Sequence, residues 1–417
     1  MPGTTDNNST DNSSLTRAIE QALVTRDRDH QLRRRQIVRA IDATHVDIDG
    51  RRLTSFCSNN YLGLSHHPRV IEAMARAVRE HGAGSAASPL ITGHTPAHAS
   101  AEAALARWKQ TEAALLLPSG YQANHAAIQA IAGTAAAAGG RVRFLLDKLA
   151  HASLVDAIRA VTGGSVGDRG EGSAGRGFRV FAHNDLAKLS RLLRDAAPDE
   201  IQVVVTESIF SMDGDAADLA GLAALKREHP FTLVLDEAHG SGVYGHAGAG
   251  YAAEHGLASA VDVFIVTLSK ALGAAGGAIC ASGAFCDAVA NFGRAYVYST
   301  ATPPALAAAA EAAVGVLRDE PQRQRRVRTL AQHARAELAR AGFRFPPGPA
   351  DSPILPLILG DERAATAAAN RLRDAGLLVL PVRPPTVPKG SSRLRVTLSS
   401  EHRDDEVERL VAALGRL

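Results

Sequence analysis

The chain has 417 residues, 46% of them hydrophobic, which is enough for a large buried core and more than one compact unit. Its 46 Lys and Arg against 43 Asp and Glu give a net charge of +3, which argues against nucleic acid or a membrane surface as a partner. Cys57, Cys280 and Cys286 form no C-x-x-C pair, and no apolar run reaches the roughly 20 residues that a transmembrane helix needs. We therefore expect a reduced, cytoplasmic protein without a signal peptide.

The N-terminal part predicts an extended arm before the first domain. Residues 1–14 are mostly Asn, Ser, Thr and Asp, a composition typical of disordered segments. Residues 14–41 are rich in Leu, Ala, Ile and Arg and favour a helix. Residues 46–56 then alternate like a strand pair around an Asp-Gly turn, and a helical run at 69–80 ends before Gly82.

The middle of the chain repeats a short apolar run, a turn and a helix. Such runs, rich in Leu and β-branched residues, are typical of strands buried on both faces, so we expect a mainly parallel sheet flanked by helices. The runs lie at 113–117, 144–146, 203–206, 232–235 and 263–266. In such sheets ligands bind beyond the carboxyl ends of the strands. Glu207, Asp236 and Thr267 follow three of these runs, which predicts one shared site.

Beyond about residue 300 the pattern changes to that of a smaller α+β domain. A long helix is expected at about 304–341, before strand-like pieces at 354–359, 377–382 and 393–398. The Gly-, Ser- and Arg-rich stretch at 162–177 is expected to be a surface loop. The predicted divisions are a tail and helical arm, a large α/β domain and a small C-terminal domain, at 1–45, 46–295 and 296–417.

The strongest chemical signal is Thr267-Leu268-Ser269-Lys270, followed by a glycine-rich turn. A lysine between an apolar strand and such a turn is poorly solvated, which favours the neutral amine that a Schiff base needs. The neighbouring hydroxyl groups could hold a phosphate. The alternative is a solvated strand end without chemistry.

Asp236 and His239 follow the run at 232–235. A buried aspartate can keep the ring nitrogen of a pyridine cofactor protonated, and a histidine three residues later can reach another side of the ring. A metal site is the alternative, because Asp and His are both ligands. No second cluster with ligand spacing accompanies them, so we expect no metal.

Two further segments could contact such a cofactor. Ser119-Gly120 opens a helix, whose free N–H groups and positive dipole end suit a phosphate. An ordinary N-cap is the alternative, and Tyr121 could equally be a packing aromatic. His151, after the run at 144–146, could be a helix cap or a satisfied core histidine instead of a functional residue.

Together these motifs resemble the α-oxoamine synthases, a family of fold-type-I enzymes that depend on pyridoxal 5'-phosphate (PLP). The resemblance extends from about Arg33 to the C-terminus. The matching segments are residues 58–64, 119–124, 147–154, 207–215, 236–242, 267–277, 298–300, 383–388 and 393–395.

The resemblance implies a role for each matching residue. Lys270 would hold PLP covalently and later move the Cα proton, while Asp236 would pair with the pyridine nitrogen and His151 would stack on the ring. The residues implied to contact the ring oxygen are Ser211 and His239, and those implied to hold the phosphate are Gly120, Tyr121 and Thr267, with Thr300 of a partner subunit.

The implied substrate contacts are Arg395, Asn59, Arg33 and Thr386. A guanidinium suits the amino-acid carboxylate because its planar fork matches a carboxylate. At Arg33, which opens a run of three arginines, a solvated charge run is the alternative.

The implied reaction is a decarboxylative condensation of L-alanine with an acyl-CoA or acyl-carrier-protein thioester, pimeloyl being the expected acyl group. The same residues would serve glycine with acetyl-CoA or succinyl-CoA. A plain aminotransferase or a non-enzymatic partner subunit are further alternatives. The family also implies a homodimer with shared active sites.

One segment departs from the family pattern. Gly84-Ser85-Ala86-Ala87-Ser88-Pro89 stands where family members commonly have a glycine-rich stretch. Two alanines and a proline restrict the backbone there. Because this loop is expected near the substrate entrance, the departure bears on acyl-chain selectivity.

Overall fold

The computed structural model describes residues 14–29, 31–163, 177–197 and 199–417. The expected disordered tail at 1–14 and surface loop at 162–177 thus lie almost entirely outside the described residues. The α-helices are α1 (Ser14–Arg28), α2 (Pro68–His81), α3 (Pro96–Lys109), α4 (Gly120–Ala137), α5 (Ala152–Thr162), α6 (Leu186–Arg194), α7 (Leu219–Glu228), α8 (Tyr251–Glu254), α9 (Gly283–Phe292), α10 (Arg294–Val297), α11 (Pro304–Asp319), α12 (Gln322–Arg340), α13 (Glu362–Asp374) and α14 (Asp404–Leu414).

The strands form three sheets. They are β1 (Arg39–Ala40), β2 (His45–Ile48), β3 (Arg51–Ser55), β4 (Ala113–Leu117), β5 (Arg141–Asp147), β6 (Phe178–Phe181), β7 (Glu200–Glu207), β8 (Thr232–Asp236), β9 (Val263–Thr267), β10 (Gly277–Ala281), β11 (Ile354–Gly360), β12 (Leu377–Leu378), β13 (Leu380–Val382) and β14 (Ser392–Thr397).

The largest sheet has seven strands in the order β4-β10-β9-β8-β7-β5-β6. Strands β5 to β9 pair in parallel, whereas β10 is antiparallel to both of its neighbours. Successive residues of one strand enter different cores: Val203 packs in one hydrophobic cluster and Val204 in another. Both faces are therefore buried, which confirms the predicted α/β class.

The parallel pairing puts several strand ends at one edge of this sheet. The last residues of β7 and β8 are register partners, Glu207 and Asp236. Strand β4 runs in the same direction as β9, because β10 is antiparallel to both. The turns after β4, β5, β7, β8 and β9 therefore open at the same edge, where ligands bind in sheets of this kind.

One of the two smaller sheets combines strands from the N-terminal and C-terminal parts of the chain, and the other contains C-terminal strands. One has the order β1-β2-β3-β12 and the other β11-β14-β13. Strand β12 pairs in parallel with β3, and the Phe56 carbonyl accepts from Thr397 N at 2.7 Å. This pairing argues for placing residues 45–55 with the C-terminal unit rather than with the large domain. The division at 45 and 295 stays a prediction.

Two long helices that the sequence favoured are shorter in the structure. The helix predicted at 14–41 ends at Arg28, where the N–H groups of Gln31 and Leu32 both bind the Arg26 carbonyl and close the last turn. The helix predicted at about 304–341 is broken between α11 and α12. Glu320 adopts φ −124° and ψ 58°, because a residue before proline disfavours the helical region.

Candidate active site

The site lies where the turns after β4, β5, β7, β8 and β9 meet. Lys270 follows β9 and is partly buried, with its amine 2.9 Å from His239 Nε2. Burial lowers the pKa of Lys270 to about 8, although the nearby carboxyl groups of Asp236 and Glu207 raise it. A useful fraction of this amine is thus neutral near physiological pH, as a lysine nucleophile requires.

A chain of hydrogen bonds connects Lys270 to Arg395. His239 Nδ1 lies 2.7 Å from the Tyr61 hydroxyl, which donates to Asn59 Oδ1 at 3.1 Å. Arg395 Nη1 donates to the same oxygen at 3.1 Å. Burial lowers the pKa of His239 well below its usual range, so its ring is neutral. Its Nε2 then accepts from Lys270 and its Nδ1 donates to Tyr61.

Tyr61 was not among the predicted site residues. It is fully buried and connects groups far apart in sequence. Its position within the matching segment 58–64 was the available signal, but its contact with His239 depends on the tertiary fold.

Asp236 is buried and held by two donors. Ala238 N donates to its Oδ1 at 2.9 Å, and Asn124 Nδ2 donates to its Oδ2 at 2.9 Å. Asn124 Nδ2 also donates to Ser153 Oγ at 2.8 Å. Among the described residues, the side-chain oxygen of Asn124, Oδ1, has no hydrogen-bond partner. A buried carboxylate in such a setting suits a cationic ring N–H.

His151 belongs to the same network. It caps α5 by accepting from Ser153 N at 3.2 Å, and its Nδ1 lies 2.7 Å from Ser153 Oγ. Asn124 thereby positions Asp236 directly and His151 through Ser153. Asn124 and Ser153 had no predicted role, although both lie in matching segments. His151 is an exposed residue, so its ring is accessible to a ligand.

The turn before α4 forms a tight cradle with Thr267. Ser119 caps α4 by accepting from Gln122 N at 3.1 Å. A Cβ atom at Gly120 would lie 2.3 Å from Thr267 Oγ1, so a side chain there would displace the hydroxyl. A helix N-terminus beside a hydroxyl group suits an anion such as a phosphate.

The side chain of Tyr121 contacts residues of α4 and α5. Its ring is 48% exposed and stacks on His125 at 4.7 Å, while its hydroxyl donates to Asp156 Oδ2 at 3.0 Å. A contribution of Tyr121 to a phosphate site would therefore come from its backbone.

The loop after β7 holds the guanidinium of Arg395. Arg395 Nε donates to the Ser211 carbonyl at 2.6 Å. Its neighbour on β14, Arg393, contacts Asp213 Oδ1 at 2.5 Å and the Met212 carbonyl at 3.4 Å. The structure thus brings together Arg395, Asn59 and the backbone of Ser211.

Arg33 and Thr386 form a separate pair. Arg33 Nη2 donates to Thr386 Oγ1 at 2.9 Å, and both residues are exposed. Within the described ranges, no recorded hydrogen bond joins this pair to the Lys270 network.

The residues present fit PLP. One sheet edge holds a desolvated lysine, a buried aspartate, an exposed histidine ring and an anion cradle. Two buried oxygens there, Asn124 Oδ1 and Glu207 Oε1, lack partners in the described part of the chain, and burial raises the pKa of Glu207 well above its usual range. No group of three or more His, Cys, Asp or Glu is placed to hold a metal in that part of the chain. In the same part, no helix is long and apolar enough to cross a membrane.

Comparison with known proteins gives consistent relatives. The family model for class I and II aminotransferases matches residues 51–414. The 8-amino-7-oxononanoate synthase of Alkalilimnicola ehrlichii is 38% identical over 97% of this chain and 98% of its own. That of Trichlorobacter lovleyi is 39% identical over 91% of this chain and 93% of its own.

Solved structures agree with this assignment. An SPT (serine palmitoyltransferase) structure with PLP internal aldimine superposes with a TM-score of 0.87 and 26% identity, covering 97% of this chain and 98% of the other. The fold is thus that of the fold-type-I PLP transferases, as predicted. The chain belongs to the class I and II aminotransferase family and, within it, to the α-oxoamine synthases, as a relative of the 8-amino-7-oxononanoate synthases.

Proposed function

We propose that this enzyme condenses L-alanine with a pimeloyl thioester, releasing carbon dioxide and the thiol to form 8-amino-7-oxononanoate with bound PLP. The observation that carries the proposal is the continuous hydrogen-bonded connection from Lys270 to Arg395. It places a desolvated amine and a carboxylate-binding guanidinium in one network, as proton removal from an amino acid needs. The names of the relatives support the particular product.

PLP would be held by residues at the carboxyl edge of the large sheet. Lys270 would bind it covalently, Asp236 would face its ring nitrogen, and His151 would stack on its ring. Gly120 and Thr267 would bind the phosphate, together with the N-terminus of α4. When bound, PLP supplies the electron sink that stabilises charge on the substrate Cα.

The remaining residues would orient the substrate and move its proton. Arg395 would bind the L-alanine carboxylate, with Asn59 fixing the guanidinium. Lys270 would remove the proton from Cα, and His239 would hold the lysine in place by accepting its N–H. Ser211 would position Arg395 through its carbonyl and bring its hydroxyl towards the cofactor ring oxygen.

Arg33 and Thr386 would contact the acyl donor. The Arg33 guanidinium is exposed and already fixed by one hydrogen bond, at 2.9 Å, so it is available to an anionic group. The far carboxylate of a pimeloyl chain, or a CoA phosphate, would otherwise be costly to desolvate.

A homodimer is the assembly that we propose. The turn at 89–93 contacts α10, which ends beside Tyr298. Leu90, Ile91 and Tyr298 are exposed by 51%, 77% and 73% in this region, and neighbouring exposed side chains of this kind are typical of an interaction surface. Exposed Thr300 follows Tyr298 and would reach the partner's cofactor. The three free cysteines favour a reducing, cytoplasmic compartment. Sedimentation of the purified protein tests the dimer.

The test of function is a side-by-side assay. The kcat/KM values for alanine and glycine should be measured with pimeloyl-, acetyl- and succinyl-CoA and with pimeloyl carrier protein. We expect alanine with a pimeloyl donor to be preferred. Alanine and glycine differ by one methyl group, which lets an enzyme discriminate between them by only about 10- to 200-fold. The ratio of their kcat/KM values therefore decides which amino acid is the substrate. A clear preference for glycine with a short acyl donor would reject this product, and stable pyridoxamine formation would indicate an aminotransferase.

A further inference from the structure

His183 lies between two buried carboxylates. Its Nδ1 is 3.0 Å from Asp147 Oδ1, and its Nε2 is 2.6 Å from Asp215 Oδ2. Asp147 is 1% exposed and Asp215 is 7% exposed. Carboxylates only accept hydrogen bonds, so both ring nitrogens must carry protons for both contacts to form. Between two ionised carboxylates, this geometry therefore requires an imidazolium.

The electrostatics agree with this protonation state. Burial alone would lower the pKa of His183, but its hydrogen bonds to Asp147 and Asp215 and their negative charges raise it to about 10. These two aspartates are the charged groups that face the ring, one from the end of β5 and one from the loop after β7. The Phe210 ring meets the imidazole edge-on at 4.4 Å.

The two carboxylates belong to different active-site loops. Asp147 ends β5, and its Oδ1 also accepts from Leu149 N at 2.8 Å, within the turn that leads to His151. Asp215 ends the loop after β7, where its carbonyl accepts from Phe210 N at 2.9 Å.

Each loop carries a member of the proposed site. The first loop presents the His151 ring. The second presents Ser211, whose carbonyl accepts from Arg395 at 2.6 Å. His183 itself sits outside the Lys270 network, on the segment after β6, so it has no part in the roles assigned above.

We propose that His183 is a positioning residue whose imidazolium bridges Asp147 and Asp215, fixing the loop that carries His151 against the loop that carries Ser211 and binds Arg395. The inference rests on the proposed function, because it treats these loops as the cofactor and substrate contacts. The adjacent residue strengthens the bridge. Asn184 N donates to Asp147 Oδ2 at 3.1 Å, and Asn184 Nδ2 donates to the Ala216 carbonyl at 2.9 Å.

The main variant is His183→Gln, which leaves two buried carboxylates without a cation. We expect the apoprotein to bind PLP about 10-fold more weakly, and kcat/KM for L-alanine to fall about 10- to 100-fold, a loss typical of misplaced contact groups. Adding Asp215→Asn should recover part of both losses, because it removes one uncompensated charge. A purely local structural role would not give this recovery.

The matched control is His333→Gln. His333 Nε2 also contacts a carboxylate, Glu408 Oε1 at 2.6 Å, but both side chains are exposed. We expect PLP affinity and kcat/KM to stay within about 2-fold of the wild type. A folded His183→Gln protein that matches this control in both measurements overturns the proposal.

A second measurement avoids dependence on folding of the variants. The nitrogen NMR signals of His183 in the wild-type protein should show both ring nitrogens protonated at pH 8, with proton loss only near the pKa of about 10. A neutral ring at pH 8 overturns the bridge. Failure of the wild type to form 8-amino-7-oxononanoate, with these results intact, would reject the proposed product and leave the bridge standing.

Discussion

Lys270 Nζ lies 2.9 Å from His239 Nε2, so the amine that would carry the cofactor directly contacts a neutral imidazole. Burial lowers the pKa of this amine to about 8. Because the partner in this contact is a neutral imidazole and not a carboxylate, it does not raise the pKa again. A bonded carboxylate would stabilise the ammonium form and keep the lysine charged at neutral pH.

The first prediction concerns the pH dependence of cofactor uptake. Only the neutral amine attacks an aldehyde, so the rate at which the apoprotein forms its covalent PLP adduct should rise with pH below about 8 and level off above it. Stopped-flow absorbance measures this rate. A Lys270→Arg control should form no adduct and show no turnover. A rate that still rises above pH 10 would indicate an ordinary lysine pKa.

The second prediction concerns Tyr61. Tyr61→Phe removes the hydroxyl that joins His239 to Asn59, so Arg395 loses indirect support while its own contact with Asn59 remains. We expect KM for L-alanine to rise by about 10-fold, as for the loss of one neutral hydrogen bond, with little change in KM for the acyl thioester. Steady-state kinetics with each substrate varied provide the measurement. Equal changes in both KM values would contradict a role at the carboxylate end.

The third prediction concerns Asp236. Asp236→Asn removes the negative charge opposite the proposed position of the ring nitrogen, and we expect kcat to fall by about 100-fold or more. Asp199→Asn is the matched control, because Asp199 is exposed and pairs with exposed Arg141 at the start of β5, the opposite end of the strand from the site. Exchange of the alanine Cα proton with solvent, followed by NMR, tests the proton-removal step. Wild-type exchange in Asp236→Asn would rule out the proposed role.

The sequence predicted those parts of the molecule that local patterns determine. The runs that became β4, β5, β7, β8 and β9 were recognisable because strands buried on both faces are continuously apolar. Their shared direction then predicted that Glu207, Asp236 and Thr267 lie at one edge of the sheet. Strand β10 was missed because its short apolar run, 278–281, directly follows the glycine-rich turn after Lys270.

The remaining site contacts depend on long-range packing. Tyr61 and His239 are 178 positions apart, and no local pattern indicates that they meet. The resemblance implied a phosphate contact for Tyr121 without saying which of its atoms would make it, and only the packing of α4 beside α5 shows that its hydroxyl contacts Asp156. His183 had no predicted role, and its two carboxylate partners, Asp147 and Asp215, became apparent only in the fold.

The fourth prediction concerns the loop that departs from the family pattern. Ala86 adopts φ 53°, a left-handed conformation that costs a residue with a Cβ about 1–2 kcal/mol. Ala86→Gly removes this strain but loses about 0.4–1 kcal/mol through the greater freedom of the unfolded chain. We therefore expect a gain between zero and about 1.5 kcal/mol in the free energy of unfolding, measured with urea. Ala87→Gly, at a position without positive φ, should destabilise the protein. The opposite order would show that Ala86 is unstrained.

The last prediction concerns the buried ion pair behind the site. Lys109 Nζ lies 2.5 Å from Glu237 Oε2, and both side chains are almost inaccessible to solvent. Lys109 also donates to the Ala249 carbonyl at 2.5 Å, while Glu237 Oε1 accepts from Ala252 N at 2.8 Å. The pair therefore anchors the segment after β8, next to Asp236, to the end of α3.

Removing one partner should leave a buried charge uncompensated. We expect Lys109→Met to lower the free energy of unfolding by about 3–5 kcal/mol, and Lys109→Met with Glu237→Gln to cost less than the single change. Urea denaturation provides the measurement. Arg141→Met is the control, because its ion pair with Asp199 is exposed and its loss should leave the urea midpoint unchanged. A double variant less stable than Lys109→Met would show that Glu237 stabilises the fold independently of Lys109.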